Sequence, residues 1–404
     1  MRDTPWLQRT TAAFRLMIAT SWLAPEAWRE RQEAAIREAI AAGPDWVEYL
    51  RLVDRHRIPA LGCAALNRLS TQAIPKRIQQ ELQKRSDACR MQAVRHCLRL
   101  AEILKMFNRL EIPVMPLKGP LLSLELYGDV GLRQSRDLDL MVPLQDFSQA
   151  RICMESTGWR LDKSYSFLTP RQWASLMTQD HHLGFVHSQT GCLLELHWRN
   201  LCDAPGRDDA RWEKSTAVAW QGFSYQAMHP IDQLLYLCIH GGRHSWFRAK
   251  WLGDLARIHA QGKMNWTEAF HQSQNIGQEK VLLASLRLLQ EAYALPLPEL
   301  PEGTWETLPS LLVDRPLDAL DEQENAGDHG PLRSLRTVVH ALRYDWLVLP
   351  QQRWRSLRAR LFNNPLDFQI IHIPDRFFWA YLLLRPFLWF WRQVLGRGPR
   401  VNSR

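Results

Sequence analysis

The chain has no stretch of about 18 uninterrupted apolar residues, which excludes an ordinary membrane-spanning helix. The nearest approach, Phe377 to Leu395, is interrupted by Arg385-Pro386. Met1-Arg2-Asp3-Thr4-Pro5-Trp6 lacks the apolar core of a secretion signal. There is no CxxC pair, and the seven cysteines, at positions 63, 89, 97, 153, 192, 202 and 238, are odd in number. Most have apolar neighbours, so buried, reduced thiols in a cytoplasmic protein are expected rather than a disulfide scaffold. Internal repeats and low-complexity tracts are also missing. The 404 residues are 46% hydrophobic and 10% aromatic, which excludes a disordered or fibrous chain and leaves material for sizeable cores. The 51 Lys and Arg outnumber the 42 Asp and Glu, for a net charge of +9. That excess suits a nucleotide, a nucleic acid or an anionic membrane surface without choosing among them.

Against this background one stretch carries chemistry. Leu117-Lys118-Gly119-Pro120 is followed by Arg133-Gln134-Ser135-Arg136-Asp137-Leu138-Asp139-Leu140-Met141-Val142. Side chains at i and i+2 of a strand share a face, so Asp137 and Asp139 point together while Leu138, Leu140 and Val142 face the core. Two carboxylates on a buried strand repel and lose hydration, and a divalent cation offsets that cost. In Cys192-Leu193-Leu194-Glu195-Leu196-His197-Trp198, Glu195 shares its face with Leu193 and His197. It is the third acid if its strand lies beside that of Asp139. Lys118-Gly119 falls where a strand meets a helix N-terminus, a position with free amide donors and a field that favours phosphate. Arg133 and Ser135, at i and i+2 before the acids, are candidates for triphosphate oxygens, Arg133 by a bidentate contact.

The pattern along the chain is helical up to about residue 110, as judged by 3.6-residue periodicity. In Arg90 to Leu110 the expected apolar stripe is Val94, Cys97, Leu98, Ala101, Leu104 and Phe107. A short strand is expected over 114–117, a helix from Pro120 to Tyr127, a strand over 138–142, and a helix over 145–157 stopped by Gly158. A hairpin around Ser188-Gln189-Thr190-Gly191 joins 183–187 to 192–198. Helices return over 231–239, 251–260 and 279–293. The expected organisation is a helical N-terminal region over 1–110 and an α/β core over 111–225. A helical domain over 226–295, a linker-like region over 296–335 and a basic, aromatic helical region over 336–404 follow.

The combination Leu-Lys-Gly, Tyr127-Gly128-Asp129, Gly131-Leu132-Arg133-x-x-x-Asp137-Leu138-Asp139-Leu140-Met141-Val142 and Leu194-Glu195-Leu196-His197-Trp198 resembles the uncharacterised nucleotidyltransferase family, within the polymerase-β-like superfamily. The Arg-x-Ser-x-Asp-x-Asp segment is also similar to toxin-type nucleotidyltransferases of abortive-infection systems. The resemblance covers roughly residues 30 to 260. It implies an α+β fold, with a polymerase-β-like core of a small mixed sheet and flanking helices beside helical N- and C-terminal regions. It also implies Mg²⁺-dependent (or Mn²⁺-dependent) transfer of a nucleotide from an NTP. Asp137 and Asp139 match the metal-binding acids, Glu195 the third acid, and Lys118-Gly119 the phosphate loop. Such loops usually read Gly-Ser or Gly-Gly, whereas here Pro120 follows Gly119 and removes one amide donor; the spacing from Gly119 to Asp137 is also longer than usual. Members often accompany genes for surface polysaccharides or peptide natural products. The acceptor, whether small molecule, glycan precursor, peptide or RNA, stays open.

Three further features have readings of their own. His240-Gly241-Gly242-Arg243-His244 places two histidines four apart, a zinc pattern weakened by the glycines; with Lys250 or Asp254 it is alternatively a second-domain contribution to nucleotide or acceptor binding. His181-His182 with Glu195 and His197 forms another cluster, a metal site or a contact to the acceptor. The aromatic residues 376–395, preceded by Arg353, Arg355, Arg358 and Arg360 and followed by Arg397 and Arg400, suit either a peripheral contact with the inner face of a membrane or a helix buried within the protein. Rival functions are γ-phosphoryl transfer on the same scaffold, a toxin-like modification of tRNA or protein, and a non-catalytic membrane-associated adaptor.

Overall fold

A computed structural model describes residues 6–69, 73–162, 165, 168–200, 209–321, 365–368 and 370–394. Cys202 and the arginines at 353, 355, 358, 360, 397 and 400 lie outside the described residues. The chain divides into two compact units, residues 1–160 with 183–322 and residues 161–182 with 323–404. The fold is α+β, a small mixed sheet flanked by helices, as the sequence predicts.

The larger unit begins with helices α1 (Ala12–Thr20), α2 (Glu26–Ala41), α3 (Trp46–His56), α4 (Pro59–Asn67) and α5 (Lys76–Arg109). Side-chain caps start two of them: the Thr11 hydroxyl accepts from the Phe14 N–H at 3.1 Å, and an Asp45 oxygen from Val47 N–H at 2.8 Å. Helix α5 bears out only part of the expected stripe: Leu104 and Phe107 are buried, but Val94 and Leu98 are not. It buries Cys89, Ala93, His96, Leu100, Ile103, Leu104 and Phe107, while Met91, Val94 and Leu98 are exposed. Burial of His96 and exposure of Val94 show where hydrophobicity alone misplaces the first half of the stripe.

Strand β1 (Met115–Pro116) leads into α6 (Pro120–Tyr127), β2 (Asp137–Met141), α7 (Phe147–Ser156) and β3 (Trp159–Leu161). After α8 (Pro170–Gln179), β4 (His182–His187) and β5 (Leu193–His197) form the expected hairpin. The sheet order is β1-β2-β5-β4-β3, with β1 antiparallel and β5 parallel to β2. Leu138, Leu140, Leu194 and Leu196 are all buried on the faces opposite the acids. Helix α9 (Asp209–Glu213) and an unanticipated ribbon, β6 (Thr216–Trp220) and β7 (Phe223–Ala227), follow, with β7 against β1.

Helices α10 (Pro230–Arg243), α11 (Ala249–Ala260), α12 (Trp266–Asn275), α13 (Glu279–Tyr293) and α14 (Leu311–Asp321) complete this unit. Helix α10 runs straight through Gly241-Gly242, because the fold needs glycine there: a Cβ at 241 would lie 2.3 Å from the Trp246 ring.

The smaller unit comprises α8, α15 (Pro365–Phe368) and α16 (Ala380–Val394), with a core of Phe368, Ile373, Phe378, Tyr381 and Leu388. Its buried polar centre is Gln172, whose Nε2 donates to Ile373 O and Tyr381 Oη, both at 3.0 Å. Arg385-Pro386 interrupts the apolar run but not the helix: α16 continues across it, and Arg385 lies 3.6 Å from Asp367. The six described cysteines are free thiols, and no described helix is long and apolar enough to cross a membrane.

Candidate active site

Parallel pairing of β2 with β5 sets Asp139 opposite Glu195 and Asp137 opposite Leu193. Strand alternation therefore brings the three expected acids to one face, with His197 beside them. His197 Nε2 is 3.7 Å from Asp139 Oδ1 and 3.5 Å from Glu195 Oε2. Ligand atoms of Asp139, Glu195 and His197 lie within 4.8 Å of one another, and Asp137 stands one step along the same strand face. Asp139 is 2% exposed, whereas the Glu195 side chain is 35% exposed.

The two aspartates ionise differently. Burial opposes the Asp139 charge, but the Lys118 ammonium and the His197 ring outweigh it and hold this carboxyl well below the usual range. Burial, with the neighbouring Asp139 charge, pushes Asp137 up. Burial likewise disfavours the charged His197 ring, yet the adjacent Asp139 and Glu195 carboxylates raise it overall. The site concentrates negative charge that a cation would relieve.

Lys118 joins the acids through backbone pairing: the Leu117 N–H donates to Asp139 O at 2.9 Å, which sets the next side chain over the same face. Lys118 Nζ lies 3.0 Å from Asp139 Oδ1. Gly119 follows at φ +87°, in the left-handed region that side chains avoid, and leads directly into α6. A Cβ there would meet Asp137 O and Ser135 Oγ only at 3.8 Å, so backbone conformation rather than space demands glycine.

The other two expected phosphate ligands have partners within the protein. Arg133 Nε donates to Asp254 Oδ2 at 2.8 Å, with the two side chains 2% and 0% exposed. The Ser135 hydroxyl donates to Asp137 O at 2.6 Å. Lys250, one helical turn before Asp254 on α11, donates from Nζ to Gln134 O at 2.9 Å. Burial, with Arg133 and Arg57 nearby, depresses the Lys250 ammonium well below its ordinary value. Helix α11 thus grips two consecutive residues of the segment that leads into Asp137.

His240 and His244 stand 4.8 Å apart between ring centroids and pack against Trp251 at 5.1 and 5.4 Å. Among the described residues no acid or cysteine joins them in a metal-binding group. His181 and His182 belong to the smaller unit, where their rings meet at 3.0 Å between nitrogens. Glu195 and His197 belong to the larger one. The role of His197 beside Asp139 was half legible: strand parity puts it on the Glu195 face, but only the parallel register aims it at Asp139.

The donor set suits a hard divalent cation, with carboxylates from adjacent strands and an imidazole alongside. Residues 42–294, more than half of the chain, match the family described as uncharacterised nucleotidyltransferase. No curated protein and no solved structure matches. With acids, lysine and glycine loop arranged on one sheet within the matched span, the chain belongs to the uncharacterised nucleotidyltransferase family.

Proposed function

We propose that the protein transfers a nucleoside monophosphate from an NTP to a hydroxyl acceptor with the help of Mg²⁺ or Mn²⁺. The observation that carries this reading is the Asp139–Glu195 register with Lys118 on the same carboxylate. Asp137, Asp139 and Glu195 would hold the cation, with His197 alongside; once bound, it would neutralise charge developing on the phosphates. Lys118 binds triphosphate oxygens, and Gly119 lets the backbone approach them. Glu195, more exposed than Asp139, accepts the proton of the acceptor hydroxyl as that oxygen attacks the α-phosphorus and pyrophosphate leaves. Arg133 and Ser135 act on this reading from behind, by holding the segment that carries Asp137.

The test is transfer from α-labelled and γ-labelled NTPs by wild type and by Asp139→Asn. Label from the α-position alone, lost at least about 100-fold in the variant, supports the reading. Product labelled from the γ-position favours the phosphotransferase alternative. No thermal shift with any of the four Mg²⁺·NTPs favours the adaptor.

The acceptor belongs, on our reading, to surface-polysaccharide or natural-product chemistry, and the smaller unit contacts an anionic lipid surface. Helix α16 buries Tyr381 and Leu388 but exposes Leu383, Phe387, Phe390 and Trp391, next to exposed Phe377 and Trp379. Such a patch on a segment with arginines and no acid between 376 and 404 suits the interface of an anionic bilayer. Full-length protein should sediment with phosphatidylcholine vesicles that contain anionic lipid, and Leu383→Glu with Phe387→Glu should abolish this. Sedimentation unchanged by the double substitution, or concentration-dependent self-association without vesicles, would overturn it.

A further inference from the structure

Lys118 occupies an unusual place for a phosphate-loop cation. Its Nζ is 3.0 Å from Asp139 Oδ1, and the two side chains are 13% and 2% exposed. The same oxygen faces His197 Nε2 at 3.7 Å, and the Asp139 carboxylate belongs to the compact group with Glu195 and His197. A lysine ammonium and a divalent cation therefore compete for one carboxylate. Mg²⁺ binds oxygen at about 2.1 Å, so both cations on this group would stand only a few ångströms apart in a poorly hydrated site, where repulsion is little screened. Their repulsion favours displacement of one of them, and the lysine has a second place to go. Its four-carbon stem is flexible and starts beside the positive-φ Gly119, at the mouth of α6, where a triphosphate would offer anionic oxygens.

We propose that Lys118 is a stand-in cation: it neutralises Asp139 until a divalent cation displaces it, and the displaced ammonium then pairs with the triphosphate, so that cation and nucleotide load cooperatively. The second half rests on the nucleotidyl-transfer reading; the displacement itself requires no nucleotide. Because coupling between two ligands is reciprocal, each should tighten the other, and the increment should depend on the lysine. Free cation should bind weakly to the wild type even though the ligands are present.

The experiment follows Mn²⁺ binding to the full-length protein by paramagnetic resonance of the free ion, without and with a non-hydrolysable ATP analogue. Without nucleotide, Lys118→Met should bind Mn²⁺ on the order of tenfold tighter than wild type, Lys118→Arg should stay close to wild type, and Asp139→Asn should lose the site. The analogue should tighten Mn²⁺ binding strongly in wild type and little in Lys118→Met. Equal or weaker Mn²⁺ binding by folded Lys118→Met would overturn the displacement. Should that variant not fold, acylation of lysines in the wild type decides: Mn²⁺ should raise labelling of Lys118 relative to the other lysines, and unchanged labelling would overturn the proposal. If the analogue binds to no form while Lys118→Met still tightens Mn²⁺, the nucleotide reading fails and the displacement stands.

Discussion

Buried imidazoles such as His56 are expected to make the larger unit sensitive to acid. His56 is fully buried, and its Nδ1 accepts the Ala249 N–H at 3.0 Å, which ties α3 to the first residue of α11. Burial, with the Arg55 and Arg248 charges nearby, holds this ring well below its ordinary value, so it is neutral in the fold. Unfolded, it titrates near about 6.5. Below that pH the unfolded chain takes up a proton that the fold refuses; the stabilisation is complete above about 6.5 and declines as pH falls. His240, depressed by burial and by Lys118, acts in the same direction. The melting temperature should therefore fall steadily from about pH 7 to about pH 5. His56→Gln should melt lower at neutral pH but with a shallower fall, and an unchanged slope would place the acid sensitivity in other groups. Asp137, Asp139 and Glu195 were legible because strand alternation is local. The partner of His56 was not, since nothing near it in sequence names Ala249.

At the scale of elements, α11 is the brace of the site. Lys250 and Asp254 lie on one helix face and hold Gln134 and Arg133, and Gly253 between them lets α11 approach α1, where a Cβ would lie 2.3 Å from Ser21 O. Removing one member of a buried ion pair strands the other charge, so Asp254→Ala should cost about 3–5 kcal/mol in chemical denaturation. Arg133→Met combined with Asp254→Leu should recover much of that stability. If the brace positions Asp137, the double variant still loses transfer activity; retained activity would make the pair purely structural. Helix 120–127 could be read from its Pro120 start and Gly128 stop, and helix 279–293 from its apolar period. The β6–β7 ribbon could not, because none of its residues is buried and they carry no strict alternation of burial. The grip of α11 was only glimpsed, as a possible substrate contact of Lys250 or Asp254, since a buried Arg–Asp pair and a ligand-binding pair look alike in sequence.

At the scale of the whole molecule, the smaller unit joins residues 161–182 to residues beyond 322, while the larger unit resumes at Leu183. No change of composition along the chain announces such interleaving, whereas motifs that stay in order lead to a family span of roughly 30 to 260, which overlaps most of the matched 42–294. The parallel register of Asp139 with Glu195 has a consequence in time. The acids are separated by more than fifty residues of chain, and parallel pairing across such a gap is among the slower events of folding. A nascent chain that has produced Asp137 and Asp139 holds two acids but no site. On the proposed reading, competence to hold a cation would arrive only once β5 has been synthesised and has docked, so a chain cut short before it would bind none.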